Sequence, residues 1–208
     1  IICFIFSFLI IYLLILIGFT SQNKISKSYL SPIVNFLTRY GKFAFIILLL
    51  ISLYRIADVV MGVMANIFYL EKGYKISEIA TFSKFFGVFA TILGGFIGGY
   101  ISYKIGTMKA LFFGAFIAAT SNLLFAWLAI SPTNINFLIA VITADNISSG
   151  FAGAAFVIYL SGLTSIKFTA TQYALFSSIM LFLPKLIAGY AGIWVDIIGY
   201  QYFFILTA

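Results

Sequence analysis

The sequence has no histidine, one cysteine and three prolines, and only 8% of its 208 residues are charged. Each shortage excludes something. Without histidine, any proton exchange within these residues falls to a carboxylate, and the chain has five Asp and Glu in all. Cys3 stands alone in an apolar run, which leaves neither an internal disulfide nor a thiolate metal site. No metal or organic cofactor is expected, and the apolar segments show no pairing of nucleophile with base that would suit an enzyme. Twelve Lys and Arg give a formal charge of +7. They are scattered singly and mostly lie between apolar runs, so they read as topology signals and not as a nucleic-acid-binding stripe.

Apolar residues make up 63% of the chain, with 25 Phe and 13 Tyr. No soluble core of this size absorbs so much apolar surface. Several uncharged runs reach 18 residues or more, enough to cross about 30 Å of hydrocarbon at about 1.5 Å per residue. The expected fold class is all-α, a polytopic bundle whose solvent is the lipid bilayer. Spans are predicted at about 1–20, 43–66, 79–102, 110–130, 136–160 and 172–195, with another starting near Gln201 and running through 208. Residues 1–20 are too long for a signal-peptide core and lack a basic leader. The chain starts without Met and stops a few residues into an apolar stretch, so it is expected to be a fragment of a longer protein.

Orientation follows from the connections. The first, 21–42, carries Lys24, Lys27, Arg39 and Lys42 with no acid, and the third carries Lys104 and Lys109. The fifth carries Lys167. The second, by contrast, balances Glu71 and Glu78 against Lys72 and Lys75, the fourth is uncharged, and the last holds Asp196. Basic excess on alternate connections places the odd ones in the cytoplasm.

Five ionisable residues fall inside predicted spans: Arg55, Asp58, Lys84, Asp145 and Lys185. A charge at the centre of a membrane helix costs roughly 2.5 to 3.5 kcal/mol on insertion scales, so such residues usually face a polar interior. Helical rise puts all but Lys84 between the midplane and the outer third, where carrier sites tend to lie. Arg55 and Asp58, at i and i+3, share a face; the pairing serves either insertion alone or binding and gating. Asp145 opens the polar run Asp145-Asn146-Ile147-Ser148-Ser149-Gly150, which calls for a cavity or polar neighbours, and its carboxylate can exchange a proton during transport. Packing hydrogen bonds from Asn146 and Ser149 are the plainer reading. Lys84 lies shallow enough to snorkel. Lys185 follows Pro184, which removes a backbone donor and allows a kink. Three bases against two acids predict a net positive cavity suited to a small anionic substrate.

Gly94, Gly95, Gly98 and Gly99 place small residues four apart twice over, and Gly150 and Gly153 begin a similar face on a later helix. Such faces allow close packing, and two of them can slide on one another.

The segment GGYISYKIGTMK resembles the cytoplasmic loop signature of the major facilitator superfamily, with Gly99, Lys104, Gly106 and Lys109 fitting and Tyr103 in the acidic position. Over 52–208 the segments SLYRIADVVMGVMANIFYLEKGYKISEIA, ITADNISSGFAGAAFVIYLSGLTSIKFTATQYALFSS and AGYAGIWVDIIGYQYFF resemble the carboxy-terminal half of AmpG-type anhydromuropeptide permeases. Related acetyl-coenzyme A transporters share part of the pattern. The resemblance implies a six-helix half, 43–208, of a proton-driven importer in the bacterial inner membrane. That importer carries GlcNAc-anhydroMurNAc and its peptides for cell-wall recycling, with the proton gradient as its energy source. It also implies an amino-terminal partner half, so that 1–20 would be a helix of the upstream region and 21–42 the cytoplasmic connecting loop. Arg55, Asp58, Asn146, Ser149, Gly150 and Gln172 carry over from the family, and Asp145 stands where it would have a glutamate. Other expectations remain open: a carrier of another anionic solute, acyl-coenzyme A-like or nucleotide-like, and a degenerate half-carrier that does not transport.

Overall fold

The computed structural model describes residues 30–208. The predicted span 1–20, with Cys3, and Lys24 and Lys27 of the first connection lie outside the described residues. The described chain is helical, with no strand. In chain order the helices are α1 (Ser31–Tyr40), α2 (Phe43–Tyr54), α3 (Ile56–Glu71), α4 (Ile76–Ile79), α5 (Gly87–Ile105), α6 (Thr107–Ile130), α7 (Ile135–Leu163), α8 (Thr169–Ala188) and α9 (Ala191–Leu206). A wider π-helical stretch, Ala80–Phe86, joins α4 to α5, and a short 3-10 turn, Ile166–Phe168, leads into α8.

Five stretches are long and apolar enough to cross a membrane: Phe43–Glu71, Ile76–Ile105, Thr107–Ile130, Ile135–Leu163 and Ile166–Ala188. Each overlaps a predicted span and extends beyond it, because amphipathic end turns such as that holding Glu71 stay helical after hydropathy has fallen. Short turns join them. Gly106 alone connects α5 to α6, with φ of 88° and ψ of 151°, a conformation that only glycine adopts readily. Two aromatic-rich cores form. One groups Phe68, Tyr69, Phe125, Phe203 and Phe204, and the other groups Phe36, Ile51, Phe156 and Phe176.

Three expectations need correction. The connection 21–42 is not all loop: α1 forms within it, with Pro near its first turn and Gly41, at φ 52°, ending it. The span predicted at 43–66 is not one continuous helix, since Arg55, with φ −100° and ψ 3°, separates α2 from α3. The span predicted to 195 breaks at Gly189 and Tyr190, where α8 ends, although helical backbone bonds such as Trp194 N–H to Tyr190 O (3.2 Å) resume at once. Within α9, Gly199 leaves the helical region with φ of 75°. The chain reverses there. Leu206 and Thr207 return to line one depression with Trp194, Ile56 and Val60.

Candidate intramembrane charge site

The site begins with the break at Arg55. Tyr54, the last residue of α2, donates a hydrogen bond to Leu111 O of α6 (3.1 Å) and stacks on Phe156 of α7, with ring centroids 4.7 Å apart and planes 5° apart. Gly114 gives the phenol room, because a β-carbon there would sit 2.7 Å from its oxygen. One aromatic side chain thus ties the end of α2 to two other spans. The helix restarts at Ile56 with Asp58 in its first turn, where a carboxylate suits the positive end of the helix dipole.

Arg55 Nη1 and Asp58 Oδ2 are 3.4 Å apart, and their side chains are 22% and 17% exposed. The same Arg55 nitrogen lies over Gly153 of α7, 3.7 Å from where a β-carbon would stand. Gly153 is therefore part of the site's wall as well as of a packing face. Along α7, Asp145, Ser149 and Gly153 recur every four residues and so share one face, and all three are partly buried. Asp145 lies in the electrostatic field of both Asp58 and Arg55. Its Oδ1 is 3.5 Å from the hydroxyl of Ser121 on α6, and Ser148 Oγ bonds both Ser121 Oγ (3.1 Å) and Asp145 O (2.8 Å). Arg55, Asp58 and Asp145 thus border a common region among α3, α6 and α7, and the ion pair keeps an open side. Such a constellation can attract an anion to the guanidinium and pass a proton to or from a carboxylate.

The other residues singled out from the sequence divide into two groups. Asn146 turns toward α5, where its Oδ1 lies 3.0 Å from Thr91 Oγ1 and its Nδ2 donates to Ile142 O (2.8 Å). It belongs to the seam between α5 and α7. There Gly94 and Gly98 meet the backbone of Ile147 and Phe151, and Gly150 meets that of Thr91 and Gly95. A β-carbon at Gly94 or Gly150 would overlap a backbone carbonyl, so these two helices approach backbone to backbone. Gly99 faces open space.

Lys84, Lys185 and Gln172 do not join the charge site. Lys84 is exposed on the π-helical stretch, and Lys185 is exposed on α8 beside buried Pro184, past which the helix continues to Ala188. Long stems let both ammonium groups leave the interior. Gln172 is buried beside α1, where its amide donates to Pro32 O (2.9 Å) and Asn35 Oδ1 (3.2 Å) and accepts from Ser165 N–H (2.7 Å). Its role there is to fasten α1 to the turn between α7 and α8. Lys104 of the loop signature lies against the Tyr100 ring, 5.7 Å from its centroid.

Sequence reasoning missed Tyr54, Gly114, Ser121 and Thr91. A tyrosine adjoining Arg55 and the Ser121-Asn122 pair inside an apolar run were the available signals, and nothing in the sequence pointed to Gly114.

No family model matches the chain. Individual relatives do. The protein of Rickettsia conorii named "Putative transporter AmpG 4" is 34% identical over 182 residues, covering 86% of this chain and 44% of its own length. Its namesake in Rickettsia felis is 35% identical over 178 residues, 86% of this chain and 42% of the relative. "Putative transporter AmpG 1" of Rickettsia bellii is 37% identical over 177 residues, 84% and 43% respectively. The chain is a multi-pass membrane protein, all-helical among its described residues, and a relative of the AmpG-type transporters over most of its length, spanning less than half the length of the relatives it matches.

Proposed function

We propose that this chain supplies the coupling and anion-recognition half of a proton-driven importer of anhydromuropeptides, GlcNAc-anhydroMurNAc and its peptides, in a bacterial inner membrane. The observation that carries the reading is the meeting of Arg55, Asp58 and Asp145 at a broken span. Discontinuous helices with charged groups near the midplane are how secondary carriers build solute and ion sites. In this reading Arg55 attracts a substrate carboxylate and Asp58 holds the guanidinium in place between turnovers. Asp145, on the facing helix, takes up a proton on the outer side and releases it inward. The proton gradient is the energy source and no cofactor takes part. The open side of the ion pair is closed by the other half of the full-length transporter, which completes the path.

The test is uptake of radiolabelled GlcNAc-anhydroMurNAc-peptide by the full-length protein in vesicles under an imposed proton gradient. Gradient-dependent uptake that unlabelled acyl-coenzyme A and nucleotides fail to compete is expected. Competition by those anions with no anhydromuropeptide uptake would leave a carrier but replace its substrate. Absence of any gradient-driven solute flux would remove the carrier reading.

A further inference from the structure

The helix α1 presents three distinct faces. Pro32 and Phe36 turn into the bundle, with the Phe36 ring 4.9 Å from that of Phe176 and 5.0 Å from that of Tyr40. Asn35, Thr38 and Arg39 look along the turn between α7 and α8, where Arg39 Nη1 donates to Thr164 O (3.2 Å) and Leu163 O (3.4 Å). Those carbonyls end α7 and have no helical donor of their own. With the Gln172 amide, these bonds fix α1 rigidly at the cytoplasmic end. The third face consists of Leu30, Ile33, Val34 and Leu37, which are 36–57% exposed although their spacing makes them one apolar stripe.

A helix tied down by three polar side chains has little freedom to hide such a stripe by rotating. Directly after α1 the chain enters a stretch long and apolar enough to cross a membrane. Beyond Gly41 and Lys42, Phe43, Phe45 and Ile46 open the stretch Phe43–Glu71 and are 59–72% exposed, as expected of side chains that face lipid. Basic residues adjoin it: Arg39 lies on the polar face and Lys42 on the turn. An apolar stripe beside a basic, polar face is the pattern of a helix lying in the headgroup layer.

We infer that α1 is an interfacial helix: Leu30, Ile33, Val34 and Leu37 rest in the headgroup–acyl boundary of the cytoplasmic leaflet, while Arg39 and Gln172 fasten its other faces to the turn between α7 and α8. Its partner is the phospholipid surface itself. The inference does not depend on what the protein carries.

The experiment uses the full-length protein, with every native cysteine, Cys3 among them, replaced by Ser, in vesicles of phosphatidylethanolamine and phosphatidylglycerol. Single cysteines at Leu37→Cys on the apolar stripe and Thr38→Cys on the polar face are labelled with an environment-sensitive fluorophore. The label at 37 is expected to emit to the blue of that at 38. It should be quenched several-fold more by a nitroxide placed shallowly in the lipid than by iodide in the water, with the reverse order at 38. Ile33→Cys gives a second apolar position should Leu37→Cys express poorly. Equal quenching by iodide at 33, 37 and 38 would put α1 in water and overturn the inference, as would quenching of the apolar positions only by nitroxides at the bilayer centre. Loss of solute uptake in a labelled variant leaves these readings unaffected.

Discussion

A guanidinium within a membrane span costs roughly 2.5 to 3.5 kcal/mol on insertion scales, and Arg55 meets that cost with a carboxylate one turn along the same helix, 3.4 Å away. Removing one partner leaves the other uncompensated, whereas removing both takes away the attraction and the desolvation together. Arg55→Ala and Asp58→Ala are each expected to lower the melting temperature of the purified full-length protein more than the double variant does. A double variant at least as unstable as the worse single one would deny the coupling. Asp145 is different in kind. Its carboxylate contacts the hydroxyl of Ser121, and it forms no ion pair among the described residues. Asp145→Asn keeps the shape and removes the exchangeable proton. It is expected to abolish gradient-driven uptake while membrane insertion, read by yield in the membrane fraction, stays within about twofold of wild type. Arg55→Ala is expected to raise KM more than it lowers kcat, since it removes attraction for the anion and leaves the proton carrier in place.

At the level of elements, the seam between α5 and α7 is the most constrained contact. Gly94 and Gly150 face carbonyl oxygens with no room for a β-carbon, so a larger residue must part the two helices. Gly150→Leu is expected to cost at least the roughly 1 to 3 kcal/mol typical of overpacking, visible as a lower melting temperature, whereas Gly99→Leu, which points into open space, should be neutral. Hydropathy alone located the five long apolar stretches of the described residues, because a run of apolar residues has one physical solution in a bilayer. Periodic glycines announced close packing, yet which helices would meet is a tertiary fact, and only the structure pairs Gly94 with Ile147 and Gly150 with Thr91. The break at Arg55 was also hidden. It falls directly after Tyr54, whose phenol is held by Leu111 and Phe156 more than fifty residues away. Gln172 looked like a site residue because it sits in a motif, but a buried amide with three backbone and side-chain partners at a helix end has a fastening role. The exposure of Lys84 and Lys185 likewise depends on helix rotation, which spacing within one span does not fix.

For the whole molecule, the Arg55–Asp58 pair and the α7 face of Asp145, Ser149 and Gly153 form a wall and not an enclosed chamber. The remaining wall belongs to the full-length transporter in the proposed function, so this chain expressed alone is expected to insert and yet carry no solute above the vesicle background. The same open side makes the central claim directly measurable. Ser149→Cys, a near-isosteric change on the face between Asp145 and Gly153, reports whether water reaches that region in the full-length protein with every native cysteine, Cys3 among them, replaced by Ser. The account predicts that a membrane-impermeant, water-soluble thiol reagent modifies Cys at 149 at least several-fold faster than Cys at the exposed, apolar position Phe96, and that anhydromuropeptide slows the reaction. A residue 149 as inert as residue 96 would mean that the charges of α3 and α7 border no aqueous path, contradicting the account at its root.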